Sequence, residues 1–167
     1  MRKKAIADAF AGLLGEAVKA LKRCYGRNLV SVVVFGSVGR GDARADSDVD
    51  LLIVADDLPR GRMARVGSLE PAKRALEQRL QSLQRQGICT RLAPVFKTRA
   101  EVRAGSLLFL DMIEDGRVLF DRRGFWRGFI RSFQRRLDRL GARKIMVGDR
   151  WYWDLKPDYR PGEVFEI

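Results

Sequence analysis

The chain has 167 residues, of which 46% are hydrophobic, and it carries a formal net charge of +12 with an isoelectric point near 10.5. This length and apolar content suit one compact domain with a sizeable core, and no apolar run approaches the roughly 18 residues that a membrane-spanning helix needs. The chain has no histidine, and its two cysteines, Cys24 and Cys89, lie far apart. This argues against a structural zinc site and predicts two buried thiols in a reducing cytoplasm, with a disulfide as the alternative for a hyperthermophilic protein.

The N-terminal third is predicted to contain a helix followed by two strands. Apolar residues recur at helical spacing from about residue 3 to 25, which indicates an amphipathic helix packed against a sheet. Leu29–Phe35 is rich in β-branched residues and stops at a glycine, which predicts a buried strand. A second strand of the same kind is predicted at Val49–Val54.

The rest of the chain alternates between helical patterns and short apolar segments. After a loop at Asp56–Gly61 we predict, in chain order, a helix at Pro71–Gln86 with Ala75, Leu76, Leu80 and Leu83 inward, a strand at Ile88–Phe96, a helix near Arg99–Ile113, a short apolar stretch at Val118–Phe120 and a long helix at Phe125–Leu140. This order predicts an α/β sandwich with a small mixed β-sheet flanked by helices.

Two acidic residues stand at the start of the second predicted strand. Asp48 and Asp50 are two positions apart, and because strand side chains alternate between faces, both carboxylates point the same way. Mg²⁺ is usually held by one or two carboxylates together with substrate phosphates. The pair therefore predicts a magnesium site that a phosphate-bearing substrate completes.

A glycine-rich turn separates the two strands. Gly36, Gly39 and Gly41 allow the backbone to approach an anion closely, and Ser37 adds a hydroxyl beside free N–H groups. We predict that this turn binds phosphates. Arg40 would add a positive charge beside these phosphates, or would pair instead with Asp42 or Asp46.

The segments Phe35–Gly41 and Ser47–Leu51 together resemble the nucleotidyltransferase superfamily that includes DNA polymerase β, and most of all its minimal nucleotidyltransferases. The resemblance implies Mg²⁺-dependent transfer of a nucleoside monophosphate, AMP from ATP in our interpretation, to an acceptor hydroxyl. It assigns Asp48 and Asp50 to catalysis and metal binding, and Gly36, Ser37, Arg40 and Gly41 to the nucleotide.

The superfamily usually places a third catalytic carboxylate on a later strand. The predicted strand Ile88–Phe96 contains no acid. Glu101 is a candidate, but Thr98–Glu101 also has the pattern of a helix capping box, which we favour. Further candidates are Asp111, Glu114 and Asp115, for which a solvated helix end is the preferred interpretation.

The C-terminal third is strongly basic. Residues 117–150 contain eleven Lys or Arg against three Asp, and in the last predicted helix Phe125, Phe129, Phe133, Leu137 and Leu140 would face the core while the arginines point outward. Such a face suits RNA or another polyanion as acceptor, or is simply a solvated helix, and the sequence leaves both open. The aromatic tail after it, residues 150–163, either stacks a base or packs over the domain, and we favour packing.

The resemblance leaves the partner open. Minimal nucleotidyltransferases often act as antitoxins that pair with HEPN-type ribonucleases, so a HEPN protein is one expected partner. A nucleotide- or RNA-binding domain with weak or no catalysis is the other alternative. We expect residues 1–167 to form one nucleotidyltransferase-like domain, with a catalytic core at about 28–120 and a basic helix and aromatic tail at about 121–167. The layout resembles an archaeal group of such proteins whose acceptor is unassigned.

Overall fold

A computed structural model describes residues 3–148 and 150–167, with the side chain of Arg150 left out. The helices are α1 (Lys3–Tyr25), α2 (Gly36–Arg40), α3 (Arg62–Ser68), α4 (Glu70–Arg85), α5 (Arg99–Arg103), α6 (Leu108–Asp115) and α7 (Phe125–Leu140). The strands are β1 (Leu29–Phe35), β2 (Val49–Ala55), β3 (Leu92–Lys97), β4 (Arg117–Asp121), β5 (Arg143–Val147) and β6 (Arg150–Asp154). Single 3₁₀ turns at Gly26–Asn28 and Arg122–Gly124 precede β1 and α7.

Four strands form a mixed sheet in the order β3-β2-β1-β4, which confirms the predicted fold class. The central pair, β1 and β2, is antiparallel, β4 is antiparallel to β1, and β3 is parallel to β2. The start of β3, the start of β2, the end of β1 and the start of β4 consequently lie side by side at one end of the sheet. We call this the loop end.

Each face of the sheet buries its own apolar cluster. Alternate residues of β2 divide between them, because Leu51 and Ile53 belong to one cluster while Leu52 and Val54 belong to the other. The first cluster is closed by α1 and α4, and the second by α5, α6 and α7. Both central strands are almost wholly buried, which is why their sequences are continuous apolar runs rather than alternating ones.

Strand β3 lies at the edge of the sheet and is shorter than predicted, since residues 88–91 precede the strand and are not part of it. Val49 N–H donates to the carbonyl of Arg91, so in a parallel ladder the odd-numbered residues of β3 face β2. Pro94 therefore points its missing N–H away from the sheet. That is the position where a strand tolerates proline, and it blunts the exposed edge.

Several elements differ from the sequence-based prediction. The helix predicted at Arg99–Ile113 is two helices, because Gly105 adopts a left-handed φ of 83° between them. Helix α3 and the hairpin of β5 and β6 were not predicted, and Ala75 is exposed while Ala72 is buried in its place. Leu140 is only partly buried. The predictions for α1, β1, β2, α4 and α7 agree with the structure to within one residue at each end.

The two cysteines are free thiols and differ in environment. Cys24 is partly buried and donates to the carbonyl of Ser68, and burial raises the pKa of its thiol. Cys89 is exposed, so the prediction that both thiols are buried is wrong. None of the helices described is both long and apolar enough to span a membrane.

Candidate functional site

The predicted phosphate turn and the carboxylate pair meet at the loop end of the sheet. Phe35, the last residue of β1, lies opposite Asp50 in the antiparallel ladder, which places Gly36 directly beside the Asp50 side chain. Gly36 has a left-handed φ of 64°, and a Cβ at this position would collide with the Asp50 carboxylate oxygen Oδ2. A glycine is therefore required here both by the backbone conformation and by the close approach to the carboxylate.

Helix α2 begins at this glycine and carries Ser37 in its first turn. The Ser37 carbonyl accepts hydrogen bonds from the N–H groups of Gly41 and Asp42, which closes the short helix. Ser37 is partly exposed, and its hydroxyl has no hydrogen-bond partner among the residues described. It is thus available to a ligand at the loop end.

Asp50 is the electrostatically unusual carboxylate of the site. Its pKa is raised above the ordinary range, first by burial and second by the negative charge of Asp48, while the positive charge of Arg40 opposes the shift. The Asp50 carboxylate accepts no hydrogen bond from any residue that the structure describes. A carboxylate held partly buried beside a second one, without a donor, favours the binding of a cation.

Asp48 has a different environment. Its Oδ2 atom accepts a hydrogen bond from Arg91 Nε at 2.9 Å, and 36% of its side chain is exposed. The Arg91 side chain is 82% exposed, so this ion pair is open to solvent and contributes little stability. Asp48 can therefore exchange Arg91 for another cation at low cost.

The neighbouring strand β3 does not supply a third carboxylate. The residues beside Asp48 and Asp50 in the parallel pairing are Arg91 and Ala93. Glu101 forms the predicted capping box with Thr98 and is also bound to Arg65 through two hydrogen bonds of 2.9 Å. These contacts lower its pKa and hold it at the start of α5. The capping interpretation is therefore correct.

The other candidate acids belong to α6. Asp111 is exposed, and Glu114 accepts a 2.7 Å hydrogen bond from Lys144. Asp115 is bound to Arg40, its Oδ2 atom lying 2.8 Å from Arg40 Nη1. Asp115 is 13% exposed, so a solvated helix end describes Asp111 but not Asp115.

Arg40 connects the phosphate turn to α6. Besides Asp115, Arg40 contacts Asp42 at 3.2 Å, which is one of the two pairings that the sequence suggested. The hydrogen bond to Asp115 raises the pKa of Arg40 above its ordinary value. Although it is paired twice, 37% of the side chain stays exposed and its charge acts on Asp50. The long-range partner Asp115 has no sequence signal, because 75 residues separate the two.

The carboxylates at the loop end form part of a metal site and not a complete one. Within the described part of the chain no three or more His, Cys, Asp or Glu residues gather closely enough to form a complete metal site. Asp48 and Asp50 nevertheless supply hard anionic oxygens side by side, which is the ligand type that Mg²⁺ takes when substrate phosphates and water fill the remaining positions. The residues present fit a magnesium ion that is shared with a nucleotide.

The basic helix has the predicted orientation. Phe133 and Leu137 are buried, whereas Arg127, Arg131, Arg135 and Arg139 recur every four residues on an exposed face. We call these four residues the arginine stripe. None of them forms an ion pair with another described residue. Asp149, which the charge count of this segment included, lies outside the described residues, as does the side chain of Arg150.

The aromatic tail partly packs and partly projects. Trp153 joins the second core cluster, whereas Trp151 and Tyr152 are 43% and 54% exposed on the hairpin. The Lys144 ammonium lies 4.7 Å from the Trp151 ring centre, and its bond to Glu114 fastens the hairpin to the end of α6. Packing over the domain is correct for Trp153 and for Leu155, which joins the same cluster, but not for Trp151 and Tyr152.

Comparisons with known proteins agree with this geometry. A family model described as a nucleotidyltransferase domain matches residues 14–107, which span both core strands and the site. Putative protein adenylyltransferase MJ1305 of Methanocaldococcus jannaschii is 26% identical over 145 residues, covering 86% of this chain and 92% of that protein. Putative protein adenylyltransferase MJ0604 of the same organism is 46% identical over 41 residues, which is 25% of this chain and 41% of that protein.

Among solved structures, a toxin-antitoxin crystal structure with AMP-PNP is 19% identical with a TM-score of 0.48, covering 76% of this chain and 92% of that one. Since the family model covers more than half of the chain, the protein belongs to the nucleotidyltransferase domain family and is a nucleotidyltransferase, as its sequence predicted.

Proposed function

We propose that this enzyme transfers AMP from ATP to a hydroxyl group of a protein, with Mg²⁺ as cofactor. The observation that carries the proposal is the position of Asp50, a partly buried carboxylate without a hydrogen bond from any described residue, directly against the Gly36 turn. A structural carboxylate in such a place would have acquired donors, because an unsatisfied partly buried charge costs free energy. The two neighbouring carboxylates therefore repel each other, and a cation that binds together with the substrate would offset this repulsion.

The reaction that this proposal requires is a single displacement at phosphorus. The acceptor hydroxyl oxygen forms a bond to the α-phosphorus of ATP, and the bond from that phosphorus to the oxygen bridging to the β-phosphate breaks. Pyrophosphate leaves with the bonding electron pair, and the hydroxyl proton passes to water. Mg²⁺ supplies, when bound, charge neutralisation for the triphosphate and for the leaving group.

The roles of the residues follow from their places at the loop end. Asp48 and Asp50 would hold Mg²⁺, since they are the adjacent hard-oxygen donors there. Gly36 and Gly41 leave the backbone of the turn unobstructed, and Ser37 offers its unpaired hydroxyl to the phosphates. Arg40 keeps a cation beside Asp50 and helps to neutralise charge that develops on pyrophosphate.

The choice of a protein as acceptor and of ATP as donor rests on the names of the relatives. The two Methanocaldococcus proteins are named as protein adenylyltransferases, and one of them aligns with 86% of this chain. The expectation of a HEPN-type partner stays a prediction. Copurification of a small helical protein from the source cells would support it.

The test is a calorimetric titration of ATP, GTP, CTP and UTP, with and without Mg²⁺, on the wild type and on the Asp48→Asn/Asp50→Asn double variant. We expect ATP to bind most tightly, to require Mg²⁺, and to lose this metal dependence in the double variant. Incubation with radioactive ATP labelled at the α-phosphate and lysate proteins should then release pyrophosphate and label protein. Equal binding of all nucleotides by both proteins, or labelling by the double variant at the wild-type rate, would contradict the proposal.

The arginine stripe favours a second activity, the binding of a polyanion. Four exposed arginines without partners among the described residues are available to phosphates, and clustered cations bind nucleic acid in a salt-dependent manner. RNA binding that weakens steeply with salt and is unchanged by Asp50→Asn would support this activity. Retention of binding by an Arg131→Glu/Arg135→Glu variant would contradict it.

A further inference from the structure

A cleft of about 800 Å³ opens beside the carboxylate pair and plays no part in the roles described so far. Helix α4 forms one wall, and the segment from Ile88 to Leu92 forms the other. Asp48 lies on its rim and is the one residue that the cleft shares with the proposed metal site. Any molecule that fills the cleft would therefore have one end beside Asp48, next to the proposed metal site.

The cleft and the phosphate turn lie on opposite sides of the carboxylates. Across the loop end of the sheet the order is β3, β2, β1, so Asp48 and Asp50 on β2 have the Gly36 turn of β1 on one side. On the other side they have the start of β3, where Arg91 and Leu92 line the cleft. A transfer reaction needs a donor and an acceptor on two sides of the transferred group, and the triphosphate takes the side of the turn.

The lining favours a polypeptide over a nucleic acid. Leu80, Ile88 and Leu92 make the floor apolar, and Gln81 and Gln84 add neutral amides that donate and accept hydrogen bonds. The charged side chains of the cleft are three acids, Asp48, Glu70 and Glu77, and three bases, Lys73, Arg74 and Arg91.

This balance of charge gives a phosphate backbone no net attraction. The lining residues also include no aromatic ring on which a base would stack. Mixed charge around an apolar floor is instead the composition of a surface that binds a peptide segment. The arginine stripe on α7 lacks this balance, so the two surfaces suit different ligands.

We propose that this cleft is the acceptor site and binds an extended polypeptide segment whose Ser, Thr or Tyr hydroxyl reaches the α-phosphate beside Asp48. The inference rests on the proposed function and specifies its substrate class. Binding in the cleft does not itself require ATP or metal, so it is measured separately from transfer.

Cys89 provides the means to test binding. Its exposed thiol lines the cleft, whereas the thiol of Cys24 is partly buried and bonded to Ser68. The full chain is incubated, in a buffer of fixed mercaptoethanol concentration, with short peptides that carry one Ser, Thr or Tyr and one thiol supplied as its mixed disulfide with cysteamine. The Cys89 thiol exchanges into this disulfide and releases either cysteamine or the peptide thiol, so no further oxidant is required. Disulfide formation at Cys89 is read by intact mass and peptide mapping, with cysteamine as the baseline thiol.

Two tryptophan variants are matched on the same exposed surface of α4. Gln81 lines the cleft, and Gln78, three residues earlier, is exposed but does not. We expect at least one peptide to form the disulfide about tenfold more readily than cysteamine. Gln81→Trp should lower the extent of peptide linkage at Cys89 to that of cysteamine, and Gln78→Trp should leave it unchanged. If no peptide is linked to Cys89 more readily than cysteamine, or if the two variants are linked to the same extent, the cleft is not a peptide site.

Adding Mg²⁺ and ATP to the disulfide-linked complexes separates this inference from the proposed function. We expect AMP on the linked peptide in the wild type and none in Asp50→Asn, which should still form the disulfide. Selective linkage without any AMP transfer would retain the cleft as a peptide site and overturn the proposed reaction. Displacement of the peptides by ATP, or stronger linkage of a thiol-ended RNA oligonucleotide, would overturn the assignment to a polypeptide.

Discussion

Asp50 and Asp121 are two carboxylates at strand ends of the same sheet, and their surroundings are opposite. Asp121, at the end of β4, accepts hydrogen bonds from the buried Ser31 hydroxyl at 2.7 Å and from the N–H groups of Trp126 at 2.9 Å and Arg127 at 3.1 Å. Asp50, at the start of β2, accepts none from the residues described, and its pKa is raised by burial and by Asp48. Identical side chains therefore stabilise the fold in one place and, in the proposed function, bind a metal ion in the other.

The two carboxylates differ in the hydrogen-bond donors that the fold places around them. Asp121 joins β1 to the first turn of α7, where it satisfies two N–H groups that the helix itself leaves unpaired. At the loop end the backbone of Gly36 crowds Asp50 instead, and the nearby cation Arg40 is bound to Asp115 and Asp42. Hydrogen-bond donors that converge on Asp121 stabilise the fold, whereas the absence of described donors at Asp50 is what supports its proposed role in metal binding.

The largest expected effect comes from Asp50→Asn. Loss of the charge should lower AMP transfer roughly a hundredfold to a thousandfold, because electrostatic stabilisation of the developing charge is removed. The free energy of unfolding without metal should stay equal or rise, since Asn at position 50 has no like charge facing Asp48. Protein labelling from ATP and urea denaturation at pH 7 measure the two effects. If Asp50→Asn were destabilised but fully active, Asp50 would serve stability and not catalysis, contrary to the comparison with Asp121.

Asp121→Ala should have the opposite profile. It leaves the buried Ser31 hydroxyl and two helix N–H groups without partners, which should cost about 2–4 kcal/mol of unfolding free energy. Asp121→Asn, which keeps one acceptor oxygen, serves as the control and should lose about half as much. Urea denaturation gives both values. ATP affinity measured well below the unfolding midpoint should match the wild type, and a loss of affinity there would argue against the division of roles.

Gly36→Ala tests the contact that crowds Asp50. Gly36 and Gly124 both have a left-handed φ, but only at Gly36 would a Cβ meet the Asp50 carboxylate, while the space at Gly124, which lies outside the site at the start of α7, is open. Each alanine should cost roughly 1–2 kcal/mol of unfolding free energy through backbone strain. Only Gly36→Ala should also weaken Mg²⁺-dependent ATP binding, as measured by calorimetry. Equal ATP affinities in the two variants would show that the contact at Asp50 is irrelevant to the nucleotide.

Glu101→Gln is expected to give the smallest effect and one that depends on pH. Hydrogen bonds from Arg65 lower the pKa of Glu101, so its contribution is present above the ordinary carboxyl range and is lost as the pH falls through the lowered pKa. The variant should be less stable by under about 1 kcal/mol at pH 7, because the pair is partly exposed.

This difference between Glu101→Gln and the wild type should shrink toward zero in acid. Thermal denaturation at a series of pH values measures it, with the exposed Glu77→Gln as a control that leaves the unfolding midpoint unchanged. AMP transfer should be retained, and its loss in Glu101→Gln would revive Glu101 as the third carboxylate.

The central strands and the site motif were predictable because their signals are local. Continuous β-branched runs predict β1 and β2, and the spacing of Asp48 and Asp50 alone puts them on one face. Prediction was less successful at the edges. Strand β3 is shorter than predicted, and one predicted helix is the two helices α5 and α6 with Gly105 between them. The ends of edge strands and of short helices depend on the elements that pack against them more than on the periodicity of their own sequence.

The sequence by itself determined the mixed α/β fold and the pairing of a glycine turn with two carboxylates. Buried strands and tight turns need particular residue types at fixed spacing, so both can be read along the chain. Only the tertiary structure decided that Arg91 faces Asp48, that Asp115 holds Arg40, and that a charge-balanced cleft opens beside the site. Those contacts join residues 43 and 75 positions apart, and such pairings arise from how the helices and strands pack, which no local pattern records.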